Sequence, residues 1–252
     1  MGFLRGPFTA LLLSFALVAG IVSPADAQVR PAVATDASGK ALKVQGSIVV
    51  IEPDIELSLV TAGGMQEPRK EWSDAARRLY PQAVRRQLAA RATQLPDFDI
   101  PDDLDPKSRL GQIIRLNEAV ARSIAMYSAP GSALATKKDP TTGKPRMDWT
   151  LGPGVSELRA ATGADYALFT YVRDSYASGG RTALRVFAMI AGAAVGSYID
   201  IGGGLQAGVA TLVDLRTGQV VWFNLMAKGS GDLRDEKGAT TTAATLLRNM
   251  PL

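Results

Sequence analysis

The sequence predicts a single α/β domain built on a mixed sheet, exported behind a signal peptide. Three observations predict the fold. A continuous apolar, β-branched run, Ile48-Val49-Val50-Ile51, fits a short strand buried on both faces. Long stretches with helical apolar spacing follow it. Near the C-terminus, two apolar stretches flank Arg216-Thr217-Gly218, a turn with glycine where positive φ is wanted, which reads as a β-hairpin.

In chain order, residues 1–27 have the three parts of an export signal: an early base (Arg5), an apolar run from Phe8 to Val22, and small residues at Ala25 and Ala27 around Asp26. The run is about 15 residues, short of the ~20 that a membrane-spanning helix needs, so cleavage after Ala27 is expected. Residues 28–45 are small, polar and aperiodic and read as a flexible leader, which places the domain at 46–252. Its first strand, from Gly46 to Ile51, stops at Glu52-Pro53-Asp54.

A helix is expected from Ser73, whose hydroxyl could cap it, to about Thr93, with Ala76, Leu79, Tyr80, Ala83, Val84 and Leu88 on one stripe. Pro81 predicts a kink or break near Tyr80. The acidic, proline-rich connector 96–106 invites a calcium reading. Counted from Asp97, however, the sixth and twelfth places hold Asp102 and Ser108, where an EF-hand loop needs Gly and Glu. A second helix is expected from Ser108 to Tyr127. Residues 129–150 read as a long surface loop, of the kind that carries function or moves.

A short helix from Val155 stops at Gly163. A strand follows at 164–172, then a glycine-rich apolar insert near 184–204, the hairpin 206–226 and a last helix at about 239–249. Within the insert, Gly192 and Gly196 are four apart with small residues between, a face that permits close packing of helices. The insert's apolar stretch is too short to span a bilayer as a helix.

Composition removes whole classes of chemistry. The chain of 252 residues has no histidine and no cysteine. A Ser-His-Asp triad, a Cys-His pair, a His zinc site, a disulfide and a lipid-acceptor thiol are therefore all ruled out. The net charge of +4 is unchanged by loss of Arg5 and Asp26, and no basic run interleaved with aromatics suggests nucleic-acid binding. The pairs Arg77-Arg78 and Arg85-Arg86 read as a solvated helix face. Gly202-Gly203-Gly204-Leu205-Gln206-Ala207 lacks the last glycine of a dinucleotide loop and precedes a strand instead of opening a helix. Neither it nor Gly143-Lys144 is a phosphate site, and no cofactor or metal is expected.

Gly163-Ala164-Asp165-Tyr166 opening a strand, and Val213-Asp214-Leu215-Arg216-Thr217-Gly218-Gln219-Val220-Val221-Trp222 in the hairpin, resemble the periplasmic domain of the curli-secretion channel family and its relatives among envelope assembly proteins. The N-terminal domain of the TolB translocation protein is similar in the same way. The resemblance covers the order of elements over roughly 46–248, and motifs only in about 160–225. It implies a Rossmann-like three-layer α/β sandwich in the periplasm. This chain departs from the channel family in lacking a lipidated cysteine, in lacking alternating polar and apolar residues over 185–201, and in leaving no room for a second membrane hairpin after residue 227.

The preferred reading is a non-catalytic binding or assembly protein of the bacterial cell envelope, acting on an unidentified envelope protein. A second reading is a secretion-related oligomer that touches the membrane through residues 184–204 or self-associates through Gly192 and Gly196. A third is a carboxylate-dependent hydrolase using Glu52 with Asp54, or Asp174, at strand ends where open α/β sheets place ligands. Acids at strand ends are more commonly turn-formers, so no catalytic residue is assigned.

Overall fold

The computed structural model describes residues 28–36, 38–61, 65–91, 94–101, 103–127, 133–177, 204–228 and 232–252. The expected signal, 1–27, and the insert as far as residue 203, with Gly192 and Gly196, lie outside the described residues. Seven strands form one mixed sheet: β1 (Gln28–Val33), β2 (Ile48–Val50), β3 (Asp54–Val60), β4 (Gln66–Pro68), β5 (Tyr166–Ala177), β6 (Gly204–Asp214) and β7 (Val220–Lys228). The order is β1-β7-β6-β5-β3-β4, with β2 also on β5. Four helices are described: α1 (Lys70–Ala89), α2 (Arg109–Tyr127), α3 (Ser156–Thr162) and α4 (Glu236–Leu246).

Alternation along the strands sorts the apolar residues into two cores. On one face, Ile55, Leu57, Leu168, Val172, Leu212, Trp222 and Met226 pack with Tyr80, Val84 and Leu88 of α1 and Ala243 and Leu246 of α4. On the other, Val49, Ala167, Phe169, Val213, Phe223 and Leu225 pack with Ile113, Ile124 and Ala125 of α2 and Leu158 of α3. The single α/β domain and the mixed sheet are thus as the sequence indicates. A Rossmann-like sheet is mostly parallel. Here only β2 and β3 run parallel to β5, and the remaining pairs are antiparallel.

Three parts of the sheet differ from the sequence reading. Residues 28–45 are not a free leader. β1 pairs antiparallel with β7 from Gln28↔Ala227 to Val33↔Trp222. Ala34 and Val44 are buried, and the Val44 N–H donates to Pro251 O at 2.8 Å. The reason is tertiary: a weakly patterned segment finds its partners some 190 residues away. The Ala34 N–H donates to Val221 O at 2.9 Å, so alternation turns position 31 away from β7. Pro31, which has no N–H, therefore sits on the open edge, where it blunts pairing with another strand.

The first strand, β2, does end before Pro53, but the chain then resumes as a strand that the sequence reading lacks, β3, along the same neighbour, β5, with Ile55 and Leu57 inward. β5 runs on to Ala177, past the expected end at Val172.

Helix α1 begins at Lys70, and Arg69 stands before it without a side-chain cap. Ser73 is thus not a cap. Its buried hydroxyl accepts from the Leu57 N–H at 2.9 Å and donates to Arg69 O at 3.0 Å, while the Arg69 N–H donates to Leu57 O at 2.8 Å. These bonds take up the β3 backbone beyond the end of β4 and lock the helix to the sheet. Ser73→Ala leaves a buried N–H without a partner and is expected to destabilise by about 1–3 kcal/mol, read as a shift in urea midpoint with unchanged slope. The helix continues across Pro81. Ser108 does behave as a cap: its hydroxyl accepts from the Gly111 N–H at 3.1 Å.

Candidate functional site

Helix α2 is held on its face of the sheet by a buried polar contact. The Asn117 amide donates to Thr211 Oγ1 of β6 at 2.9 Å, and the Tyr171 hydroxyl of β5 donates to Asn117 Oδ1 at 2.9 Å. Asn117 and Thr211 are fully buried. Burial pushes the Tyr171 phenol above its ordinary value, so it stays a neutral donor. Beyond this anchor, the C-terminal half of α2 presents Ala121 and Ala125 to Ala207, Gly208, Val209 and Leu225. Small residues on both walls cannot fill the space between helix and sheet, and a cleft of 350 Å³ remains. Its walls are apolar, and Met126, half exposed, stands beside it.

The charged groups at the cleft are paired. Arg122 and Glu118 form an (i, i+4) ion pair on α2. Arg173 of β5 pairs with Asp54 of β3 at 2.8 Å and also donates to Asp54 O at 3.1 Å. Arg173 also lines a second hollow of 190 Å³, with Glu56, Ser58, Gln66, Asp174, Ser175 and Leu205.

On the opposite face, Asp174 lies within β5, 3% exposed, and not in a turn beyond a strand end. Its Oδ2 accepts from the Tyr176 hydroxyl at 2.6 Å, from Gln206 Nε2 at 2.7 Å and from the Leu233 N–H at 3.4 Å. Gln206 Oε1 accepts from Thr242 of α4 at 2.8 Å, and Lys228 Nζ donates to the same hydroxyl at 3.3 Å. Arg234, paired with Asp232 at 2.7 Å, lies 4.1 Å over the Tyr176 ring and 4.9 Å over Trp72. Burial pushes the Asp174 carboxyl up to about 6, against its hydrogen bonds and the charge of Lys228, and pushes Lys228 below its ordinary value. The cluster ties β5, β6, β7 and α4 together at one end of the sheet.

The acids flagged in the sequence are not brought together. Glu52 is exposed, Asp54 is engaged by Arg173 on the α2 face, and Asp174 is buried on the α1/α4 face. Among the described residues, no group of three or more His, Cys, Asp or Glu could hold a metal ion. Asp97 of the acidic connector pairs with Arg85 at 2.8 Å. The described part of the long loop, from Ala133, is pinned. Lys137 lies 4.8 Å over Trp149 and 3.1 Å from Asp148, and the Val220 N–H donates to Trp149 O at 2.9 Å.

The motif residues behind the family resemblance do local work. Gly163 ends α3 in the left-handed region, and Asp165 Oδ2 accepts from the Ser47 N–H at 3.1 Å. The cleft was not predicted from the sequence. The one signal for it is the pair of alanines four apart, Ala121 and Ala125, on the buried stripe of α2.

No protein-family model matches the chain, and no curated protein matches it. Among solved structures it is similar to the PelC dodecamer from Paraburkholderia phytofirmans, at 13% identity and a TM-score of 0.35, over 88% of this chain and 94% of that one. It is also similar to the lipoprotein GNA1162 from Neisseria meningitidis, at 16% identity and a TM-score of 0.28, over 72% of this chain and 80% of that one. Likenesses this distant say nothing about what this chain binds. No helix among the described residues is long and apolar enough to cross a membrane.

Proposed function

We propose that the chain is an exported, non-catalytic binding protein of the cell envelope, and that the cleft between α2 and the sheet is its binding surface. The observation that carries the reading is the cleft itself: an apolar hollow of 350 Å³ with a few polar groups at its rim, the form that ligand sites take. Acidic groups able to act as an acid–base pair do not converge in it, which favours binding over turnover. The envelope assignment rests on the export signal and on the motif resemblance to envelope assembly proteins. Cleavage after Ala27 would free the chain at Gln28, the first residue of β1, so the processed protein keeps its whole sheet.

Two measurements test the reading. Fractionation with N-terminal sequencing should place the protein in the periplasm with Gln28 first; recovery from the cytoplasm with residue 1 retained would refute export. A photo-crosslinking residue at Met126 should give a discrete adduct in cells, while one at the exposed Lys144, on the pinned loop, should give none. Equal labelling at both positions, or none at either, counts against the cleft as the binding surface.

A further inference from the structure

We infer that the α2 cleft takes a single-chain amphiphile with a zwitterionic head, the alkyl chain lying between helix and sheet and the head at the charged end. The inference rests on the cleft being the binding surface and names the ligand class. The walls are the first ground. Ala121 and Ala125 on α2 face Ala207, Val209 and Leu225 on the sheet, and none of these side chains can donate or accept a hydrogen bond. The hydroxyl of Tyr171, also in the lining, is committed to Asn117 at 2.9 Å. Strand β6 is paired on both sides, by β5 and by β7, so its backbone groups are taken up as well. A peptide backbone laid between these walls would leave its own N–H and C=O groups unmet, whereas an alkyl chain has none to satisfy. The volume of 350 Å³ stands near the lower end of the range for small-ligand sites, about 300–1,000 Å³, which suits one chain.

Charge is the second ground and selects the head. Each wall carries one cation and one anion: Arg122 with Glu118 on α2, and Arg173 of β5 with Asp54 of β3. The Tyr171 phenol feels all four charges, which gathers them around one end of the cleft. Their side chains keep relative exposures from 34% to 74%, and exposed ion pairs are weak, so a head can exchange with them at small cost. A head of a single charge, of either sign, engages one member of a pair and strands the other. A neutral head leaves both pairs as they stand and gains no charge contact. A zwitterionic head offers each member of a pair an opposite pole and keeps the balance of charge.

The test is amide NMR of the isotope-labelled protein titrated with octylphosphocholine below its micelle concentration. Hexylphosphocholine, octyl glucoside, octyl sulfate, octylammonium and a capped trileucine peptide are titrated beside it. Octylphosphocholine should shift the amides of Ala121, Ala125, Ala207 and Val209. It should bind roughly tenfold or more tighter than the hexyl compound, at about fourfold per methylene, and about threefold or more tighter than the other octyl heads. Ala121→Leu, which fills the cleft, should abolish those shifts. Glu118→Gln lies at the surface, serves even if the leucine variant fails to fold, and leaves Arg122 without its carboxylate, so octyl sulfate should become the tightest ligand. A neutral or singly charged head that binds wild type as tightly as phosphocholine, or an order of heads that Glu118→Gln leaves unchanged, overturns the head. Equal affinity of the two chain lengths, or tighter binding of the peptide at these amides, overturns the chain. In each of these cases the cleft stands as a binding surface. Shifts confined to other residues, or none with any probe, overturn both the ligand class and the cleft.

Discussion

Gly218→Ala is expected to be strongly destabilising, because two independent penalties coincide there. Gly218 closes the β6–β7 hairpin at φ +78°, a left-handed conformation that costs a residue with a Cβ roughly 1–3 kcal/mol. A Cβ at this position would also lie 2.2 Å from Gly152 O and 2.9 Å from its carbonyl carbon. The obstacle is backbone, so no side chain can rotate away to make room. Relief requires the 150–152 segment to move, and that segment is bonded to Gly218 itself. The Leu151 N–H donates to Gly218 O at 2.8 Å, and Thr150 Oγ1 donates to it at 3.1 Å.

Displacing that segment would also loosen Leu151 and Val155, which are buried in the core beneath α2 and α3. The expected loss is at least ~3 kcal/mol, equivalent to about a 10 °C fall in melting temperature for a domain of this size. Gly143→Ala, also at positive φ but with open space around it, should lose only the conformational part, about 1–2 kcal/mol. Equal losses in the two variants would show that the contact with Gly152 plays no part.

The same hairpin shows what can be read in the sequence. Its strands are apolar, its turn carries glycine at the position that needs it, and its two halves are neighbours in the chain, so local chemistry states the structure. α2 is legible for similar reasons: a helical apolar stripe that follows Ser108. β2 is legible as a β-branched run. β1 is not, because Gln28-Val29-Arg30-Pro31-Ala32-Val33 has weak alternation and its partner lies near the other end of the chain. β3 has good alternation at Ile55 and Leu57, but Pro53 before it reads as the end of a strand. Only the register on β5 shows that the proline interrupts one row of pairing.

Asp174 illustrates a different failure. A polar trio, Arg173-Asp174-Ser175, marks the end of a strand by every local rule. The strand continues because Arg173 finds Asp54, Asp174 finds Gln206 and Ser175 bonds the Leu205 backbone. The cleft was illegible for a further reason: it is a void, produced where small residues from α2 and β6 face one another. No residue announces a space. Only the packing of elements distant in the chain creates it, and the sequence marks it only by Ala121 and Ala125 lying four apart.

The stability of the protein should fall as pH rises from 4 to 7 by an amount traceable to Asp174. The sign follows from the two pKa values. Burial raises the folded carboxyl to about 6, whereas the unfolded chain titrates near 3.8. Between those values the folded state holds a proton that the unfolded state has released, so raising the pH favours unfolding. The contribution is fully present below pH 3.8, declines through the interval and is gone above pH 6. At 1.36 kcal/mol per pKa unit, the whole effect is about 3 kcal/mol.

Other acids titrate over part of this range, so the measurement is a difference between two proteins. In Asp174→Asn, the new amide oxygen can accept from Tyr176 and Gln206 where Asp174 Oδ2 now does, and the position no longer titrates. Urea denaturation of both proteins at half-unit steps should show wild type losing about 2 kcal/mol relative to the variant between pH 4 and pH 7. At pH 7, ionised Asp174 accepts from Tyr176, Gln206 and the Leu233 N–H and faces Lys228, with Asp232 and Arg234 as the other titratable groups around it; those hydrogen bonds first, and the charge of Lys228 after them, are why the carboxyl is not raised further. Lys228→Met should therefore lift the Asp174 midpoint above 6 and steepen the pH dependence of stability. A wild-type minus Asp174→Asn difference that stays flat from pH 4 to 7 would mean that the carboxyl titrates as an exposed one does, and that the buried cluster is wetter than its geometry indicates.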